Sequence, residues 1–583
     1  MPEYTQNRAK LEIAEALSGA LGTKITIDDI KCPPPNIAGD FAFPCFALAR
    51  TQRKNPMEIS RESAEKISFS SSSVYERVES SGGYLNFFFN RESFCNAAVH
   101  DFLSMRSFYG RSDKGAGKQI IIDYSSPNIA KPFSIGHLRS TNIGSALCNL
   151  LRFIGYEVIG DNHIGDWGTQ FGKLIYAYRH WGNRETIEAN PIQELLSLYI
   201  RFHEEAERVS REMKEKCSEE VNPLEEEARR AFKMLEEGDA ETVRLWQWIR
   251  DLSLKEFEHV YGLLGITFEE VLGESFYNDK MSEIKDMLDQ KGLLERDEEG
   301  TLLVRLDSYG ITTPLLIQKR DGSSLYATRD LACAIYRIRR WNPSRIIYAV
   351  GEEQQLYFRQ VFKVLELLGH STRCDHVYFG LIMLPEGKIA TRKGRVIFLE
   401  DVIDQAVKEA SHIIEGREWS EERKAEVSKV VGLGAIKYHD LSQNRKKTVT
   451  FDWDKMLSLE GNSSPYLQYS YARARSILRK AGTEPRAFTT EGVVLHDEEV
   501  NLVKKLARFP ETVEEAAETC YPHILAGYLY ELAVQFSTFY NTVPVLASKE
   551  QKERDNRLIL LQFYSHVMKE GLGLLGISTL EEM

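Results

Sequence analysis

From Asp123 to Gly144 the chain reads DYSSPNIAKPFSIGHLRSTNIG, a segment whose polar residues suit the holding of phosphate. Lys131 and His137 are donors for phosphate oxygens, and Pro127 and Pro132 stiffen the loop between them and the preceding run. The run IIID ending at Asp123 predicts a buried parallel strand, and from about Gly136 the pattern turns helical. Strand, loop and helix start in that order place backbone N–H groups and the positive end of a helix dipole at the carboxyl edge of a sheet, where nucleotide phosphates settle. Taken alone, SIGH can equally be a chance tetrapeptide in a Rossmann-like unit. A second stretch, PEGKIATRKGRVIFLEDVID from Pro385 to Asp404, gathers Lys388, Arg392 and Lys393 on a glycine-bounded loop that could close over a triphosphate. GAGKQ, from Gly115 to Gln119, lacks the first glycine and the terminal Ser or Thr of a P-loop and precedes a strand, so it is set aside.

Such loops need a sheet behind them. Over about 106–415 the strand-like runs QIIIDYS, EVIGDNH, RIIYAVG and HVYFGLIML alternate with helical stretches, which predicts a Rossmann-type domain with a parallel sheet and crossover helices. From about Arg184 to Tyr261 it is interrupted by a Glu-rich, helix-patterned insertion anchored by Trp246 and Trp248; its charge reads as a solvated structural face. GDWGTQFG, from Gly165 to Gly172, follows the second strand-like run, and Trp167 there is compatible with a packed turn. Residues 1 to about 105 read as a small α/β unit, and about 420–583 as an all-α helix bundle. The expected fold is therefore α/β and multidomain.

The 583 residues exceed what one hydrophobic core holds, and 43% hydrophobic with 27% charged residues describes an ordinary soluble protein. The formal charge of −12 argues against indiscriminate coating of nucleic acid. A local basic face could still come from Arg445, Lys446, Lys447, Arg473, Arg475, Arg479 and Lys480, unless these are only a solvated helix face. No C-x-x-C pair occurs among the eight cysteines and no H-E-x-x-H is found, so structural zinc is not expected. The N-terminus lacks an apolar signal core and no run approaches the roughly 20 apolar residues of a membrane span, so a cytoplasmic location is expected.

The string SPNIAKPFSIGHLRST resembles, in its extended arginyl form, the class I aminoacyl-tRNA synthetase signature named HIGH, and KIATRKG resembles the arginyl variant of the second signature, KMSK. Two departures stand out: Ser134 replaces the first signature histidine, and Ile389, Ala390 and Thr391 stand where the commoner loop has Met, Ser and its second Lys. PPPNIAGDFAFPCFALAR is similar to the N-terminal domain peculiar to arginyl-tRNA synthetases, which contacts the outer corner of the tRNA. FSTFYNTVPVL and the end LLGISTLEEM resemble the family's α-helical anticodon-binding domain, so the resemblance spans the chain in order.

The resemblance implies a ligase that joins L-arginine to its tRNA through arginyl adenylate. ATP would be a substrate, Mg2+ would be held mainly by its phosphates with no protein metal cage, and arginine activation would await bound tRNA. A monomer is the family's usual state. Lys131, Ser134 and His137, with Pro127, Ile135 and Gly136, would surround ATP; Lys388, Thr391, Arg392 and Lys393 would lie on the closing loop. Tyr326 and Asp330 are four apart, on one face of a helix, and would hold the guanidinium, with Glu274 as a second acid. Asn128, Gln354 and Asp123 would take the amino and carboxylate end. For tRNA the candidates are Arg445, Tyr466, Tyr469, Arg473, Arg475, Tyr540 and Met583, where aromatic faces interleave with basic residues. A buried tyrosine core is the other reading of that segment. A catalytically silent tRNA-binding paralogue is the competing function, suggested by Ser134 and the altered loop.

Overall fold

Ile120, Ile121 and Ile122, three β-branched side chains with no polar alternation, fold as the centre of the buried strand Gln119–Asp123. It pairs in parallel with Glu157–Asp161 on one side and Arg345–Tyr348 on the other, and Arg373–His376 extends the latter edge. The register sets Asp123 beside both Asp161 and Tyr348, so three polar side chains stand together at the carboxyl edge. Helix Ile135–Phe153 makes the crossover. It passes so close at Gly144 that an added Cβ would lie 2.2 Å from Tyr124 Cγ.

The computed structural model describes residues 4–33, 37–70, 72–215, 221–320, 326–384, 387–388 and 398–583. They group into two units: Gly115–Arg152 with Tyr156–Leu457, and Met1–Lys114 with Phe153–Gly155 and Ser458–Met583. The first holds the parallel sheet. It also holds the insertion, whose helices Pro191–Glu215 and Pro223–Glu236 pack on Thr169–Trp181 around Leu195, Leu198, Phe202 and Ala228. Trp246, on helix Ala240–Leu264, is buried and donates its indole N–H to Asp166 O at 2.8 Å, with Trp167 edge-on at 5.4 Å. Trp167 therefore sits in a packed turn. The run HVYFGLIML, expected as one strand, divides: Arg373–His376 ends in the parallel sheet, and Ile382–Leu384 pairs separately with Gly387–Lys388 and Val449–Thr450. Gly380 and Arg139 mark the break, since the Arg139 guanidinium binds Gly380 O.

In the second unit an antiparallel sheet of Phe41–Pro44, Tyr84–Phe89 and Tyr75–Ser81 carries helices Thr5–Leu21 and Arg91–Met105. These pack on helices from the other end of the sequence. Phe102 stacks on Phe563 with centroids 4.4 Å apart, His566 bonds Tyr109 O at 3.1 Å, and Lys504 pairs with Asp40. Helix Glu421–Leu441, within the block expected to start the helix bundle, instead packs on Leu399–Ile413 and groups with the parallel-sheet unit. Among the described residues no helix is long and apolar enough to cross a membrane.

Candidate active site

The loop leaving Asp123 is held in an unusual conformation. Ser125, Ser126 and Ala130 all have left-handed backbones, with φ of 69°, 46° and 58°. Such strain persists only where the surroundings impose it. Here Ser125 N–H donates to Ser140 Oγ, Ser126 N–H to Asn162 Oδ1 and Ala130 N–H to Ser253 Oγ. The backbone of Gly165 brackets the loop, its N–H bonding Pro127 O and its carbonyl accepting from Ile129 N. An added Cβ at Gly165 would stand 2.1 Å from Asn128 Oδ1, so this turn admits no side chain and keeps Asn128 in place.

Beyond the loop opens a cavity of about 770 Å³, lined by Asp123, Asn128, Ser134, Gly136, His137, Glu274, Tyr326, Asp330 and Gln354 among others. These nine expected residues are thus brought together. Its two ends differ in chemistry. At the end formed by the signature helix, Ser134 N–H donates to His137 Nδ1 at 3.1 Å, and the Ser134 hydroxyl lies 3.2 Å from the same nitrogen. A nitrogen that accepts carries no hydrogen, so the ring is the Nε2–H tautomer. Burial lowers the His137 pKa to about 4, with Lys131 acting in the same direction. His137 is therefore a neutral N–H donor at physiological pH.

At the opposite end carboxylates outnumber the cations that serve them. Arg337, fully buried, donates to Asp123 at 2.8 Å and to Asp161 at 2.7 Å; Ser126 also donates to Asp123. Arg329 pairs with Glu274 at 3.2 Å. Burial nevertheless raises Glu274 to a pKa of about 7, against the pull of Arg329. Asp330 accepts from the Tyr357 hydroxyl, and both arginines are committed elsewhere. A carboxylate with an aromatic hydroxyl beside it and room in front suits a planar, forked cation. Tyr326 opens the same helix, Tyr326–Trp341, and is 66% exposed at the rim.

Other expected residues lie elsewhere. Lys131 points its ammonium over the ring of Tyr199 in the insertion, 5.8 Å from the centroid, and burial lowers its pKa. Ile135 is fully buried, and Pro127 is buried with its carbonyl engaged by Gly165. Thr391, Arg392, Lys393 and the side chain of Lys388 lie outside the described residues. Arg445, expected on a basic face, is buried in the parallel-sheet unit and donates to Tyr378 O. In the other unit Arg473 lies over Tyr469 at 4.9 Å and Tyr540 at 5.3 Å, while Tyr466 meets Tyr530. Arg475 pairs with Glu581 near Met583, and Tyr471 is buried with its hydroxyl on the same acid. The segment is thus part surface cluster and part core.

Sequence reasoning missed Arg337, Tyr357, His163 and Arg139. Arg337 follows Asp330 by seven in one helix, a same-face spacing that was available. Arg139, buried, binds Asp440, Gly380 O and Lys447 O, tying the signature helix to the segment before Ile382–Leu384. Among the described residues no cluster of three or more His, Cys, Asp or Glu side chains is arranged to hold a metal ion.

The family described as tRNA synthetases class I (R), catalytic domain, matches residues 98–453. A DALR anticodon binding domain matches 467–583, and an arginyl tRNA synthetase N terminal domain matches 7–89. An arginine–tRNA ligase of Halothermothrix orenii is 43% identical over 557 residues, covering 95% of each chain. Arginine–tRNA ligase 1 of Bacillus cereus is 44% identical, covering 98% of this chain and all of its own. The solved arginyl-tRNA synthetase of Thermus thermophilus superposes with a TM-score of 0.80 at 24% identity, over 98% of this chain and 100% of its own, and shares the fold. The chain belongs to the class I arginyl-tRNA synthetases.

Proposed function

We propose how the chain carries out its reaction, the ATP-dependent ligation of L-arginine to its tRNA. The arginine guanidinium lies against Asp330, with Tyr357 and Tyr326 beside it, because neither Arg329 nor Arg337 serves Asp330, and unlike the exposed Glu353, which also lines the cavity without an arginine, it has a tyrosine hydroxyl fixed on it. That observation carries the reading. Glu274 contributes a second, weaker negative charge. Asn128 and Gln354 take the amino and carboxylate end. Asp123 acts there through its remaining acceptor capacity, since Arg337 and Ser126 already use it.

The substrate carboxylate attacks the α-phosphorus of ATP and pyrophosphate leaves; no protein nucleophile is required, and positioning with charge stabilisation lowers the barrier. His137 donates Nε2–H to a phosphate oxygen, and its neutrality suits a site where Mg2+ arrives with the ATP phosphates. Lys131 serves those phosphates by swinging from Tyr199, and Lys388, Arg392 and Lys393 close over them. The arginyl group then passes to the terminal 2′-hydroxyl of the tRNA. Arg473, with Tyr469, Tyr466 and Tyr540, meets tRNA bases and phosphates. The domain division we favour keeps an N-terminal module over 1–105 and moves the boundary between the parallel-sheet domain and the helix bundle from about 415–420 to about 457, because Glu421–Leu441 packs on Leu399–Ile413. The chain acts as a cytoplasmic monomer. A silent tRNA-binding paralogue would have no use for an acid that no arginine serves in the same cavity as a phosphate-grade helix start.

ATP–pyrophosphate exchange with arginine, with and without tRNA, tests the reading. Exchange that appears only with tRNA supports it. Absence of exchange in the native chain, restored by Ser134→His, would identify a silenced enzyme.

A further inference from the structure

His163, two residues beyond the strand Glu157–Asp161, lines the same cavity as Asp330. Its Nδ1 lies 2.9 Å from Leu272 O. A carbonyl oxygen only accepts, so Nδ1 carries a hydrogen. Nε2 is buried, has no hydrogen-bond partner, and faces Asp330 Oδ1 at 4.0 Å. In a neutral ring that nitrogen would turn a bare lone pair toward a carboxylate, an arrangement that leaves a buried acceptor unsatisfied and repelled. Protonated, the same atom turns an N–H toward the acid. Among the described residues His163 is the one ionic partner within 4.0 Å of Asp330, because Arg329 serves Glu274 and Asn278 while Arg337 serves Asp123 and Asp161.

We propose that His163 is a positioning residue: before arginine binds, its protonated imidazole holds Asp330 ionised and aimed, and it releases that proton to solvent when the guanidinium takes over as the counter-cation. The proposal rests on the assignment of Asp330 to the guanidinium. The groups packed around the ring are consistent with it. Burial opposes protonation, but the Cys333 sulfur, 4.0 Å from Nδ1, and the Asp123 carboxylate outweigh it, Arg337 notwithstanding, and the ring's pKa lies well above the ordinary histidine value. Tyr277 covers one side of it, with ring centroids 5.5 Å apart. Burial likewise raises Asp330, and His163 is foremost among the groups that pull it back down. A guanidinium placed on Asp330 from the cavity would lie close to the imidazolium, so binding favours the neutral ring.

Calorimetric titration with L-arginine at pH 7, tRNA present, in two buffers of different ionisation enthalpy counts the protons released. Glu274 can also release one, so the count is made for the native chain, Glu274→Gln, His163→Gln and Asp330→Asn. Glu274→Gln should still release close to one proton, and His163→Gln should release close to one fewer than the native chain while still binding arginine. No release from Glu274→Gln, or an unchanged count from His163→Gln, overturns the proposal. If His163→Gln does not fold, the Glu274→Gln count decides alone. Unchanged arginine affinity in Asp330→Asn marks a different failure: the guanidinium assignment is then wrong, and the proposal falls with it.

Discussion

The two ends of one cavity solve opposite electrostatic problems. At the signature-helix end the site meets an anion, yet its histidine is stripped of charge: Ser134 N–H fixes the tautomer and burial holds His137 near pKa 4. At the far end it meets a cation and keeps acid in excess, with Arg329 and Arg337 already engaged. The difference teaches that neither end relies on a lone charge. One offers an oriented dipole, the other a carboxylate whose competitors have been removed by pairing.

Asp330→Asn should break the comparison most completely. Removing one partner of a desolvated charge pair costs about 3–5 kcal/mol, so arginine-dependent exchange should fall by roughly two to four orders of magnitude. Filter binding of tRNA should stay unchanged. Next in size is His137→Ala, which removes a donor aimed at developing charge and should lower kcat about 100- to 1,000-fold with the KM for arginine little altered. A smaller effect sharpens the acid end: Glu274, with a pKa of about 7, is increasingly protonated as pH falls below that value. Its contribution to arginine binding is present above pH 7 and lost below it. Glu274→Gln should flatten that part of the affinity profile, with roughly tenfold weaker binding at pH 8, a change of about 1.4 kcal/mol. Ser134→Ala should do least. The backbone N–H still holds Nδ1, so the tautomer survives, and loss of one hydroxyl contact of about 0.5–1.5 kcal/mol should slow exchange roughly two- to tenfold.

The signature end was legible in sequence because its information is local. The apolar run, the prolines and the helix start lie within one short string, and a periodic pattern predicts strand, loop and helix there. The acid end was legible only in part. Tyr326 and Asp330 share a helix, but His163, Glu274 and Tyr357 reach Asp330 from distant segments, and no spacing rule announces such meetings. Arg445 shows the converse error: a run of three basic residues reads as surface, whereas the backbone turns this guanidinium inward onto Tyr378 O. Helix Glu421–Leu441 looked like bundle because its periodicity is helical, and periodicity does not name the partner.

The stacking of Phe102 on Phe563 has a temporal consequence. His566 and Tyr109, bonded in the same cluster, are 457 residues apart in sequence. At about 5–20 residues per second, a ribosome takes roughly 20 to 90 seconds to pass from one to the other. For that interval Phe102 has Tyr109 beside it but lacks the Phe563 ring, and the part of Arg91–Met105 that packs on the C-terminal helices waits uncovered. The nascent chain should therefore engage holding chaperones through its first-made helices, and a variant stalled before residue 563 should aggregate from its beginning rather than its end.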